Sequence, residues 1–240
     1  MKDLPAILWS ERTRDEFAAW AKRGAVVIVP IGSIEQHGLH LPIDTDCRTV
    51  EHVARLGARL AEDVPVLVTP TVPFGVSPHH MVYGGTISLR VETLLHVLED
   101  VCGAIVAHGF GRILILSGHG GNAGTVGAAA LELSHRLRCV ITALAWWDLI
   151  PQVIEETREG PAAGIAHAGE METSTILHLA PEAVRREKLE LVPGISDDPT
   201  LGTAAKGQRV LDAAAEALAK LVREMHAAPS RPVGIRMVRV

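Results

Sequence analysis

Four short apolar runs, at residues 25–30, 65–69, 112–117 and 139–147, alternate with helical periodicity over 47–62, 91–107 and 125–137. This alternation is the strongest constraint on the fold. Strands that read as unbroken apolar runs are buried on both faces, which happens when helices cover both sides of a parallel sheet. The expected class is therefore α/β, a three-layer sandwich around a mostly parallel central sheet. In such sheets ligands gather outside the carboxyl ends of the strands. The unusual polar segments, 32–46, 70–86, 118–122 and 147–148, all lie just past those ends. Their coincidence predicts a single site.

The remaining segments fit the same plan. Thr13-Arg14-Asp15-Glu16 has the form of a capping box and opens a helix that ends near Gly24. A short helix is expected at 153–158, another at 170–179 stopped by Pro181, a loop over 187–200, and a long Ala-rich helix over 204–226. Residues 234–240 read as a late edge strand. With no internal repeat and no low-complexity linker, the expectation is a single domain over 1–240, large enough to bury roughly three quarters of its unfolded surface.

Composition narrows the partners. The net charge of −5 and the absence of a basic stripe argue against nucleic acid. No apolar run approaches the ~20 residues that span a bilayer, and the N-terminus lacks an apolar signal core. Cys47, Cys102 and Cys139 are widely spaced and odd in number, which predicts free thiols in a reducing compartment. A cytoplasmic protein with a small-molecule substrate is expected. The 12 histidines raise the prospect of metal or proton chemistry without locating it.

Glu35 and His37 are two apart after the first strand, so an extended backbone points both the same way. With Asp46 they form a carboxylate–imidazole set suited to a first-row divalent metal. His119 sits among Gly118, Gly120 and Gly121, where small neighbours let an imidazole face a ligand. Gly118-x-Gly120-x-x-x-Gly124 also resembles a dinucleotide-binding turn, with Asp148 as its ribose partner, so an NAD-binding oxidoreductase is an alternative. His167 precedes a helix whose first turn carries Glu170 and Glu172; acids there also serve simply to complement the helix dipole. His79, His80 and Trp147 are candidate pocket walls. No Gly-x-Ser-x-Gly elbow is present.

Four segments, in order, resemble the creatininase (creatinine amidohydrolase) family: Gly-Ser-Ile-Glu-Gln-His-Gly-Leu-His-Leu-Pro-Ile-Asp-Thr-Asp at 32–46, Gly-Gly-Thr-Ile-Ser-Leu at 84–89, Ser-Gly-His-Gly-Gly-Asn at 117–122, and His-Ala-Gly-Glu-Met-Glu-Thr-Ser at 167–174. The resemblance implies an α/β amidohydrolase with two divalent ions per chain (Zn, Mn or Fe) that cleaves C–N bonds through a metal-bridging hydroxide. It implies that Glu35 and His119 bind one ion, that His37 binds the other, that Asp46 bridges them, and that His167 handles protons. It also implies a homo-oligomer, hexamers being common in the family. Two departures bear on substrate. Gly121 stands where creatininase proper has a glutamate ligand, and Tyr83-Gly84 stands where much of the family has Phe-Pro. A different carboxylate must then complete the second ion. Glu170 is the candidate, because it follows His167-Ala168-Gly169, where a helix N-terminus can turn a side chain toward the strand ends; Glu172, about 200° away around the helix, would face elsewhere. The expected substrate is a small cyclic amide or formamide other than creatinine. A protein that kept the metal site only for binding is the non-enzyme alternative.

Overall fold

The computed structural model describes residues 7–230. A three-residue turn and the capping box of Thr13 and Glu16 lead into α1 (Phe17–Lys22). Then follow β1 (Val26–Ile31), α2 (Thr45–Leu60), β2 (Val66–Val68), α3 (Val91–Ala107), β3 (Arg112–Ser117), α4 (Ala123–Leu137) and β4 (Val140–Ala145). Three further α-helices follow among the described residues: α5 (Pro151–Thr157), α6 (Glu170–Leu179) and α7 (Ala204–Ala227). The sheet has the order β2-β1-β3-β4, and every pairing is parallel.

The strands alternate their side chains between two cores. Val26, Ile28, Leu114 and Leu116 pack on α2 and α7, with Ile154 of α5 and Met171 of α6 in the same cluster. Val27, Val29, Ile31, Ile113 and Ile115 face the other way, against Leu94, Leu98 and Ile105 of α3 and Val126 and Leu133 of α4. The expected sandwich is therefore what forms. β1 lies between β2 and β3, so the chain leaves β1 in one direction and returns on its other side. Ligand crevices open at such a reversal, here between the carboxyl ends of β1 and β3.

Several expected boundaries shift by one or two residues, and two segments take added local structure. The fourth strand stops at Ala145 because Trp146–Leu149 forms a 3-10 turn, closed by the Asp148 carboxylate accepting the Ala145 amide at 2.9 Å. The loop over 187–200 is shaped at its ends by 3-10 turns at Arg186–Lys188 and Pro199–Leu201, the second capped by Asp198. The strand expected at 234–240 lies outside the described residues.

Gly118 marks the closest approach between layers. A Cβ there would run into the Asp46 carbonyl and the Val50 side chain, so only glycine lets the turn after β3 rest on the start of α2. Asn122 fastens the same region, its amide donating to the Gly32 carbonyl (3.1 Å) and its oxygen accepting from Val76 N–H (2.9 Å). On the far side of α2, Gly207 of α7 sits directly against the backbone carbonyl of Ser174 in α6. In an exposed helix Gly→Ala stabilises by about 1 kcal/mol. Gly207→Ala should have the opposite sign, destabilising by about 1–3 kcal/mol through overpacking, read from urea unfolding midpoints.

Candidate metal centre

The Asp46 carboxylate, in the first turn of α2, is the hub of a buried polar cluster. Its Oδ1 lies 3.2 Å from His37 Nε2, and its Oδ2 lies 3.2 Å from His119 Nδ1. Glu35 Oε1 lies 3.2 Å from the same His119 nitrogen. Glu172 Oε2 lies 3.5 Å from His37 Nε2. Asp46 thus links two donor sets, Glu35 and His119 on one side and His37 and Glu172 on the other, with an oxygen turned to each; His79 also converges with Glu35 and His119, and His167 with Glu35 and His37.

The imidazoles are held from behind, as metal-ligating histidines usually are. His37 Nδ1 donates to the Glu35 carbonyl (3.1 Å), leaving Nε2 bare toward the cluster. His119 Nε2 donates to the Val76 carbonyl (3.2 Å), leaving Nδ1 bare. Ser77 donates to Glu35 Oε2, fixing that carboxylate. Glu35 Oε1, His37 Nε2 and Asp46 Oδ2 are buried and have no hydrogen-bond partner among the described residues. Buried polar atoms left bare cost free energy unless something fills the space they face. Three carboxylates and two imidazoles converging on two points fit a pair of divalent cations, and nitrogen and oxygen donors suit zinc, manganese or iron.

The charge balance gives the same reading. Burial opposes a proton on His119, but Asp46 and Glu35 outweigh it and push its pKa up to about 10. Burial likewise opposes charge on His37, and Asp46 and Glu172 override it, raising its pKa well above the ordinary value. Burial would raise Asp46, yet His37 and His119 hold it below the usual carboxylate range. The carboxylates recruit positive charge, as protons if nothing else.

Glu170 is not part of this cluster, contrary to the sequence expectation. Its buried carboxylate turns away, toward Lys206 of α7, and accepts the backbone N–H groups of Glu159 (3.0 Å) and Gly160 (2.8 Å). Only one of the two acids faces the site, as their separation of about 200° around the helix requires, and it is Glu172 rather than Glu170. α6 is rotated by its packing on α7, which turns Glu172 to the strand ends and Glu170 to the 158–160 loop. Ala168 N–H donates to Glu172 Oε2 at 2.6 Å and steadies that orientation.

His167 overhangs the cluster, its Nδ1 3.4 Å from Glu35 Oε1 and its ring stacked on His80 at 4.2 Å. Burial is the main cause of its lowered pKa, so the ring is neutral near pH 7. The flanking Ala166 (φ 53°) and Ala168 (φ 51°) are both left-handed. That conformation costs a non-glycine residue about 1–2 kcal/mol, a strain typical of functional loops. A cavity of about 540 Å³ opens over the cluster, lined by His79, His80, Trp147, Ile165, His167 and Ile195. The expected walls His79, His80 and Trp147 are thus brought to the site. The dinucleotide reading fares worse: Gly118, the first glycine of that turn, is packed against the Asp46 carbonyl and Val50 of α2 rather than left free to approach a phosphate, and Asp148 is engaged by Ala145 N–H. Sequence reasoning did not assign Ser77, Gln36, Ile165 or Ile195. Gln36, between two ligand candidates, carried a positional signal; the others carried none.

Metal stoichiometry should separate the two glutamates. Glu172→Gln is expected to lower the number of divalent ions held, whereas Glu170→Gln leaves it unchanged. Breaking a buried ion pair costs about 3–5 kcal/mol, so Glu170→Ala should lower the unfolding free energy by roughly that much without removing metal. Burial opposes the charge on Glu170, but Lys206 and the Gly160 and Glu159 amides hold its pKa below the ordinary value. Its stabilisation is therefore full above the usual carboxylate pKa and is lost as pH falls through the lowered one. A metal requires neutral imidazoles, so loading should release protons from His37 and His119. Apparent affinity should rise with pH, about tenfold per unit for each proton displaced. Calorimetry in buffers of different ionisation enthalpy counts those protons.

Comparison with known proteins shows the family. The creatininase family model, described as creatinine amidohydrolase, matches residues 10–222. The mycofactocin precursor peptide peptidase of Mycobacterium tuberculosis (strain H37Rv) is 36% identical, the match covering 78% of this chain and 80% of that protein. The creatinine amidohydrolase of Pseudomonas putida is 25% identical over 91% and 97% of the two chains. Among solved structures, a creatininase variant of Zn–Zn type superposes with a TM-score of 0.78 at 24% identity, covering 92% of this chain and 98% of that one. A manganese creatininase does so at 0.76 and 24%, covering 92% and 99%. With its motifs gathered around one buried carboxylate, this chain belongs to the creatininase family of metal-dependent hydrolases that act on C–N bonds.

Proposed function

We propose that this chain is a two-metal amidohydrolase that cleaves a peptide-type amide. The observation that carries this reading is the cavity itself. At about 540 Å³, it lies within the range of pockets for drug-sized ligands and is far larger than one small ring requires. Trp147, Ile165 and Ile195 give it an apolar wall opposite the carboxylates, suited to side chains flanking a scissile amide. The 36% identity to a precursor-peptide peptidase, against 25% to a creatinine amidohydrolase, favours the same class. A small cyclic amide or formamide is the second reading, favoured by Trp147, whose indole offers a flat stacking surface.

Glu35, Asp46 and His119 would hold one ion, and His37, Asp46 and Glu172 the other. When bound, the ions supply Lewis-acid polarisation of the carbonyl and acidify water. His167 does the proton work. Its Nδ1 faces Glu35 Oε1 across 3.4 Å, where it can accept a proton during attack and deliver it to the leaving nitrogen. Stacking on His80 and a hydrogen bond from His167 N–H to Ser196 Oγ (2.7 Å) keep the ring over the site. Trp147 and Ile165 line the same cavity as His167.

A homo-oligomer is part of this reading. Leu39, Met81, Val82 and Ile87 are exposed apolar side chains, and burial against another copy would remove them from water. Three unpaired cysteines, two of them buried, favour the cytoplasm.

Metal-loaded protein assayed against short peptides, formamides, cyclic amides and creatinine, with chelator controls, tests the proposal. Chelator-sensitive cleavage of a peptide amide is the expected result; turnover confined to cyclic amides would select the second reading. His167→Ala should lower kcat by roughly 10²–10⁴-fold with metal content unchanged. Trp147→Ala should raise KM with little change in kcat. Light scattering reads the oligomer.

A further inference from the structure

The Gln36 side chain lies between the two histidines that overhang the cluster, and its hydrogen bonds can be counted. Its Oε1 accepts Gly38 N–H at 2.9 Å, which fixes which end of the amide is which. Its Nε2 meets three groups: the Gly194 carbonyl, His80 Nδ1 at 3.0 Å and His167 Nε2 at 2.9 Å. An amide nitrogen has only two hydrogens. One belongs to Gly194, whose carbonyl can only accept. His80 Nδ1 has no other partner among the described residues, so it takes the second. His167 Nε2 has another: the backbone carbonyl of Gln36, 2.9 Å away, to which it must be the donor.

From this count we infer that Gln36 is a positioning residue that fixes His80 and His167 in opposite tautomers, so that His80 presents an N–H and His167 a lone pair to the same reaction space. His80 Nε2 lies 3.8 Å from Glu35 Oε1, and His167 Nδ1 lies 3.4 Å from that same oxygen. Both rings line the cavity. His167 is thereby held ready to accept a proton. His80 becomes a further catalytic residue, a donor to the carbonyl oxygen of the amide as charge develops there, the role of an oxyanion-hole hydrogen bond. A single neutral amide thus sets an acceptor and a donor side by side, and the ring stacking at 4.2 Å keeps both in register. The donor role of His80 rests on the amide-hydrolysis reading; the two tautomers do not.

Long-range ¹H–¹⁵N correlation spectra of the ¹⁵N-labelled full chain, metal-free and zinc-loaded at neutral pH, report which nitrogen of each histidine carries the proton. His80→Gln and His167→Gln spectra assign the signals. The expected result is a bare Nδ1 and protonated Nε2 on His80, and the converse on His167. A protonated Nδ1 on neutral His80, or a bare Nε2 on neutral His167, overturns the inference. Gln36→Glu replaces the donor with an acceptor and should move the His80 proton to Nδ1 while zinc stoichiometry stays at the wild-type value. An unchanged His80 spectrum in that variant would show that Gln36 is not what sets it. On the peptide amide found by the screen, His80→Ala should lower kcat about 10²-fold, with His80→Gln recovering part of the loss; an unchanged kcat removes His80 from catalysis. Absence of any amide turnover would defeat the hydrolase reading instead, and the nitrogen spectra would still decide the tautomers.

Discussion

The Asp46 carboxylate is the contact on which the rest of the site depends. It must lie within reach of His37 from one strand end and His119 from another, so α2 has to begin directly on top of the sheet. Gly118 makes that approach possible, because any side chain there would meet the Asp46 carbonyl and Val50. Burying a lone carboxylate this deeply is expensive. The cost is met by two imidazoles at 3.2 Å and by position in the first turn of a helix, where the dipole favours negative charge.

The second half of the site comes from α6, and its placement is a matter of helix packing. Gly207 lets α7 press against the α6 backbone at Ser174. Lys206, one residue earlier, reaches Glu170 and also bonds the Leu201 carbonyl at 2.9 Å. These contacts set the rotation of α6 about its axis, and that rotation turns Glu172 to His37. Glu170 and Glu172 therefore divide their labour: one anchors the helix and the other completes the donor set.

Above the donors, the chain builds a layer of histidines from loops. The loop carrying His167 is held in two left-handed alanines and pinned by Ser196, whose N–H bonds the His167 carbonyl at 2.9 Å. His80 arrives from the loop after β2 and Gln36 from the loop after β1. Loops of this kind vary readily while the strand ends stay fixed. The site is thus layered: buried donors on the sheet below, and loop-borne histidines with walls such as Ile165, Ile195 and Trp147 above.

Much of this was legible in the residue order. The apolar runs required a parallel sheet, the polar segments beyond their ends marked one site, and the spacing of Glu35, His37 and Asp46 together with the glycine-flanked His119 pointed to metal chemistry. α3, β3 and α6 have the very boundaries that their apolar periodicity predicts. These features are local, set by the period of a strand or helix and by steric demands within a few residues. The sequence could say that only one of Glu170 and Glu172 faces the site, because helical geometry fixes the angle between them. Which one does so depends on how α6 lies on α7, a contact between segments distant in the chain. The pairing of Gln36 with His80 and His167 was beyond reach for the same reason: it joins residues 44 and 131 positions apart. The sequence determined the donor chemistry and the sheet that carries it; tertiary packing decided which carboxylate joins the donors and which nitrogen of each overhanging histidine faces them.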